Sequence, residues 1–142
     1  LRATRSQHNA PLFLIAYRLL GHLYQAHKRG DQVELVTLLD WEPDCSVASV
    51  RKVLLVLQQY KWINGSQGVY TLTCDLHEKT LDNLITDLQY YLPLEQHAYT
   101  KSVWDQSLLA ILAPVWQSQQ SHFKQPLSVL FDIKRGECSK IG

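Results

Sequence analysis

Between Val47 and Leu72 a helical pattern runs straight into a pair of short strands, and that junction constrains the fold more than any other feature. Val47, Val50, Val53, Leu54, Leu57 and Tyr60 recur at the spacing of one helical face. The stretch WINGSQGVYTLT, starting at Trp62, then places Gly65 and Gly68 in a small polar loop and resumes as Val69, Tyr70, Thr71 and Leu72. Strand-forming residues on either side of a Gly/Asn loop make a β-hairpin. The chain must therefore accommodate a helix that gives way to a hairpin almost at once.

The residues before this junction supply two more helices. Leu12, Ile15, Ala16, Leu19, Leu20 and Leu23 repeat at helical spacing, with Asn9 as a candidate cap and Pro11 expected in the first turn, where its missing N–H costs little. Lys28 and Arg29 suit the negative end of that helix, and Gly30 supplies its stop. Gln32 to Leu35 reads as a short strand, and Leu35 to Trp41 as a two-turn helix. Pro43 ends that helix, and Asp44 or Ser46 can cap the next. Glu34 stands where a Ser or Thr cap would serve the two-turn helix better. Helix, short strand, helix-turn-helix and hairpin, in that order, form the winged helix-turn-helix pattern.

Beyond the hairpin, Thr80 caps a helix with Leu81, Leu84, Ile85 and Leu88 on one stripe. The connector YYLPLEQHAYTK breaks at Pro93, after which Trp104, Leu108, Ile111, Leu112 and Val115 trace a longer helix that Pro114 should kink. Leu127, Leu130 and Phe131 are expected to lie on the core from a last short helix. The expected fold is mainly α with a small β-hairpin: a winged helix-turn-helix plus a C-terminal helical extension. Its expected parts are a linker over 1–10, the winged helix over 11–79, the extension over 80–132 and a flexible tail over 133–142.

A net charge of +1 argues against a protein that grips nucleic acid through a large electrostatic footprint. Cys45, Cys74 and Cys138 are odd in number, far apart and without a CxxC, which suits free thiols in a reducing compartment. The apolar runs Leu12 to Leu20 and Leu108 to Trp116 are too short to span a bilayer and contain Arg18 and Pro114 respectively. No secretory signal is visible. The start at Leu1 and the absence of methionine are expected of a piece taken from a longer polypeptide, whose other part can hold membrane segments.

On a helical wheel, the face of the third helix opposite Val50 and Leu57 carries Ala48, Lys52, Leu55 and Gln59, flanked by Arg51 and Val56. Groove reading would use Ser46, Ser49, Arg51, Lys52 and Gln59, with Lys61 on phosphate. The wing NGSQG, however, holds no cation, and Asp40, Glu42 and Asp44 crowd the turn near the path of the phosphates. A protein-facing helix is therefore the favoured reading, with Leu55 and Val56 as the candidate partner surface. The three acids read as a solvated turn rather than an acid–base pair.

No metal or cofactor is expected. His22 and His27 are not spaced as an i, i+4 pair, Cys74 and His77 lack a second pair of ligands, and His97 and His122 read as surface residues. No hydrolase, metalloprotease, P-loop or dinucleotide motif occurs, so no catalytic residue is nominated and an enzyme is not expected.

The segments RGDQVEL, VYTLTCDLHEKTLDNLITDL, YYLPLEQ and QPLSVLFD follow one another as in the C-terminal cytoplasmic region of the YihY/BrkB family of bacterial inner-membrane proteins, once labelled ribonuclease BN. The chain resembles that region over most of its length. The resemblance implies a cytoplasmic winged helix carried by an inner-membrane portion, acting as a non-catalytic interaction or regulatory module. Implied partners are another protein or its own membrane portion, and pairing of two copies through the C-terminal helices is a further expectation. The same order of features is similar to Rrf2-type winged-helix regulators, some of which bind an iron–sulfur cluster. The connector LPLEQHAYTKSVWD has no cysteine, so cluster ligation does not carry over. The alternative is thus a DNA-binding transcriptional regulator without a cluster.

Overall fold

A computed structural model describes residues 10–132. The expected tail over 133–142 and nearly all of the expected linker, with Asn9 and Cys138, lie outside the described residues. In chain order the elements are α1 (Leu12–Lys28), β1 (Val33–Glu34), α2 (Leu35–Trp41), α3 (Val47–Gln59), β2 (Ile63–Ser66), β3 (Val69–Leu72) and α4 (Leu81–Leu88). A 3₁₀ turn (Gln96–Tyr99) follows, then α5 (Val103–His122) and α6 (Leu127–Phe131). Over the described residues the protein is mainly helical, with a small antiparallel sheet of strand order β1-β3-β2. It divides into two compact units between Gln106 and Ser107.

In the first unit the core is built on α1, which buries Phe13, Leu14, Ile15, Ala16, Leu19, Leu20 and Leu23. Four apolar residues in succession leave its first turns without a solvent face. α3 packs against it and contributes Val50, Val53, Leu54 and Leu57, each shut off from solvent. Full burial of such a side chain is worth roughly 1.5–3 kcal/mol. Pro11 is the residue before α1 rather than part of its first turn. Its ψ of 137° is extended, and its carbonyl accepts from the Ile15 N–H.

Both long helices of this unit end alike. After α1 the N–H groups of Gly30 and Asp31 donate to the carbonyls of His27 and Ala26, with Gly30 at φ 77°. After α3 those of Lys61 and Trp62 donate to Gln58 and Leu57, with Lys61 at φ 63°. This doubly bonded stop needs a left-handed residue, ordinarily glycine. Lys61 fills that position at a steric cost, and the stop turns the buried Trp62 back onto the core.

The hairpin is tighter than its sequence suggests. Asn64 and Gly65 belong to β2, paired with Thr71 and Tyr70, and the turn is Gln67-Gly68 alone. Both turn residues have positive φ, 54° and 76°, as a two-residue type I′ connection demands. Gly65 is allowed inside the strand because the Tyr70 ring lies over it, at 2.7 Å from where a Cβ would stand. β1 adds to the other edge of β3 through Val33↔Tyr70 and Glu34↔Val69.

Val47 and Tyr60, expected on the buried side of α3, are 38% and 42% exposed. They have the right angular position but sit at the two ends of the helix, where no further turn covers them. Glu34 does precede α2 without making a side-chain cap. Thr80 and Asn83 form a reciprocal capping box on α4, each side chain accepting from the other's backbone N–H.

α5 runs unbroken through Pro114. Of its expected stripe, Leu108 and Leu112 are buried, but Ile111 and Val115 are 58% and 48% exposed. The buried seam is a single i, i+4 row rather than a broad face. In the second unit Leu127, Leu130 and Phe131 are exposed, against the expectation that they cover a core. α6 has only five residues, too few turns to hold a stripe against a neighbour.

Candidate functional site

The outward face of α3 carries the residues that sequence reasoning nominated. Arg51, Lys52, Leu55 and Gln59 are exposed on it, and Leu55 keeps 66% of its surface. Val56 is half-buried. Ser46 and Ser49 do something else. The Ser46 oxygen accepts from the Ser49 N–H at 3.1 Å while its hydroxyl donates to Ser49 Oγ at 2.9 Å, and Ser49 is itself buried. Both hydroxyls are therefore used in closing the start of α3 rather than presented to a groove.

Lys61 is exposed just beyond the helix, and no described carboxylate forms an ion pair with Arg51, Lys52 or Lys61. The hairpin tip presents Ser66, Gln67 and Gly68, all uncharged. In the turn before α3, exposed Asp44 pairs with Lys101 at 2.7 Å, which holds its carboxyl below the usual range. Exposed apolar surface also occurs on α2 and at the ends of α3, at Val36, Trp41, Val47 and Tyr60.

Glu42, read from sequence as part of a solvated acidic turn, is instead buried in an ionic cluster. Arg18 of α1 is 2% exposed; its Nε donates to Glu42 Oε1 at 2.7 Å and its Nη1 to Asp105 Oδ2 at 3.1 Å. The second Glu42 oxygen lies 2.8 Å from His22 Nε2, one turn along α1. The fully buried Asp105 also accepts from Ser102 Oγ and the Lys101 N–H. Burial by itself pushes the Glu42 carboxyl up, but the His22 hydrogen bond and the charge and hydrogen bond of Arg18 outweigh it, so the group titrates below its ordinary range. For Arg18, burial lowers the guanidinium pKa and Glu42, then Asp105, more than restore it. The Cys45 thiol beside the cluster is pushed up, first by burial and then by Glu42, which leaves it a poor nucleophile.

A cleft of about 340 Å³ opens on the neighbouring side of α1. Tyr17, Trp62 and Trp104 are among its aromatic walls, Leu81 and Leu84 of α4 add apolar surface, and Gln25, Lys79 and Thr80 are among its polar members. Trp62 is held by a 2.8 Å hydrogen bond from its Nε1 to Asp87, and the Lys79 ammonium stands 5.2 Å from its ring centre. Trp104 approaches α1 so closely that a Cβ on Gly21 would stand 2.6 Å from its ring. The Tyr17 hydroxyl fixes the backbone there by donating to the Trp104 carbonyl.

Cys74 and His77 are engaged elsewhere, the thiol with the Trp62 carbonyl at 3.6 Å and the imidazole edge-on to Tyr24. Among the described residues no group of three or more His, Cys, Asp or Glu side chains could hold a metal ion. His97 and His122 are on the surface, each with a neighbour: Glu95 at 3.3 Å and the Ser118 carbonyl at 2.7 Å.

No family model matches the chain. It is similar to a UPF0761 membrane protein of Halorhodospira halophila, with 33% identity over 120 residues. The alignment covers 84% of this chain, and the chain spans 27% of the relative's length. The chain is thus related to one part of a longer protein that is named for its membrane association. Among the described residues, no helix is long and apolar enough to cross a membrane.

Proposed function

We propose that this chain is a non-catalytic winged-helix domain borne on the cytoplasmic side of a YihY/BrkB-like inner-membrane protein, where it binds a protein surface through the outward face of α3. The observation that carries this reading is the make-up of that face. Leu55 is two-thirds exposed at its centre with the half-buried Val56 beside it, and its cations are only Arg51 and Lys52. A duplex-binding helix draws much of its affinity from phosphate contacts, which an uncharged hairpin tip and a neighbouring Asp44 do not supply. An apolar centre with a charged margin is instead the usual anatomy of a protein contact. Candidate partners are the remainder of the same polypeptide, a second copy or a separate protein.

The test is site-specific photocrosslinking from position 55 in the full-length membrane protein, with Leu55→Asp as the disrupting variant. A crosslink within the same polypeptide, to a second copy or to one defined protein, abolished when a nearby partner residue is changed, is the expected result. Salt-sensitive DNA binding that falls with Arg51→Ala and Lys52→Ala, and no protein crosslink, would establish the regulator reading in its place.

A further inference from the structure

The cleft beside α1 is separate from the α3 face, and it has the properties of a small-molecule site. We infer that it binds a small planar aromatic carboxylate, the ring lying against Trp104 at the edge of the largely buried Trp62 and the carboxylate meeting Lys79. Its volume of about 340 Å³ falls at the small end of ligand sites, which run from roughly 300 to 1,000 Å³. That space suits one fused ring system rather than an extended chain.

Two observations indicate a built site rather than a gap in packing. The aromatic walls are fixed independently of any occupant: Trp62 by Asp87, and Trp104 by its seat on Gly21 and by the Tyr17 hydroxyl. A glycine inside a helix costs roughly 1 kcal/mol relative to alanine, and here it admits the Trp104 ring. Two of the polar groups at the cleft are also uncommitted. The Gln25 side chain and the Lys79 ammonium make no hydrogen bond or ion pair with another described residue, although Lys79 stands over the Trp62 face.

The sign of the charge selects the ligand class. An ammonium beside aromatic walls favours an anion that can lie flat against a ring while its carboxylate accepts from Nζ. A cationic ligand would meet Lys79 as a like charge. Among the cleft's lining residues there is no carboxylate to offset that repulsion. Lys28, 5.2 Å from the ring centre of the lining residue Tyr24, adds a second positive charge at the margin.

The test is a titration of the whole chain, followed by ¹H–¹⁵N spectra, with three probes of one shape: indole-3-acetate, indole-3-acetamide and tryptamine. The indole N–H signals of Trp62 and Trp104 should shift saturably with indole-3-acetate, and that of Trp116 should not. The acetate should bind roughly fivefold tighter than the acetamide, the size of a partly exposed charge-assisted contact, and tryptamine should bind weakest. Lys79→Gln, a change at an exposed residue, should remove the preference for acetate over acetamide while leaving acetamide binding in place. Equal binding of acetate and acetamide by the parent chain would mean that the cleft takes an uncharged apolar group, such as a partner's side chain, and would overturn the inference. So would the absence of saturable shifts, or shifts spread equally to Trp116. None of these results depends on what α3 contacts, so the two readings stand or fall separately.

Discussion

Replacing Arg18 with methionine tests the buried ionic cluster most directly. The methionine keeps most of the stem volume and removes the charge, leaving Glu42 at 8% exposure and Asp105 at zero without their cation. Removing one partner of a buried ion pair costs roughly 3–5 kcal/mol, because the other charge is left unsolvated. In a unit of about this size each kcal/mol lowers the melting temperature by roughly 4–8 °C, so a fall of at least about 12 °C is expected.

The pH dependence gives a second, independent signature. In the parent chain the Glu42 carboxyl is depressed below its ordinary value of 4.5. The stability it contributes is therefore complete above that value and is lost as the pH falls toward the folded-state pKa. In Arg18→Met the largest influence, burial, loses the opposing charge and hydrogen bond of Arg18 and keeps that of His22, so the folded chain takes up a proton more readily than before. The stability gap between parent and variant should narrow on going from neutral pH to about pH 4, since a neutral buried carboxyl costs far less than a charged one. Urea unfolding followed by tryptophan fluorescence across that range measures both effects. A loss under about 1 kcal/mol, or a gap independent of pH, would refute the reasoning.

Lys61→Gly should raise the urea midpoint by the equivalent of roughly 0.5–1 kcal/mol, since glycine relieves the left-handed strain at φ 63° and gives back part of the gain in chain entropy; a lower midpoint would show that the lysine side chain itself supports the fold. Gly21→Ala should destabilise by roughly 1–3 kcal/mol despite the better helix propensity of alanine, because the new methyl meets the Trp104 ring at 2.6 Å. Thermal unfolding reads that effect, and a stabilised variant would mean that the ring moves aside freely.

Much of the local structure was legible in the sequence, since it is written in short-range chemistry. Gly30 and the basic residues before it mark the end of α1, Pro43 the end of α2, and Ser46 and Thr80 the starts of α3 and α4. These depend on spacing and caps within a few residues. The hairpin tip was less legible because Asn64-Gly65 is itself a favoured turn pair, and only the cross-strand Tyr70 ring explains why that glycine lies in a strand.

The candidate sites were harder to read. Arg18, read from the sequence only as a charge interrupting an apolar run, is buried in the fold, and its acceptors lie 24 and 87 residues away. Glu42, set among Asp40, Pro43 and Asp44, looks like a solvated turn until α1 is placed beside it. The aromatic cleft draws on α1, Trp62 beyond α3, the segment before α4, α4 itself and Trp104, and no local pattern announces such a gathering. Ser46 and Ser49, suitable groove-reading residues by type, spend hydrogen bonds on the cap, which residue type alone does not reveal.

The reach of Arg18 bears on how the chain is made. Polypeptides emerge from the ribosome N-terminus first, so α1 appears well before the second acid that neutralises its guanidinium. A nascent chain long enough to form all three strands would still carry a buried arginine one acid short. Its tightest packing waits for Asp105, and a truncation placed just after the hairpin would hold the protein permanently at that unfinished stage.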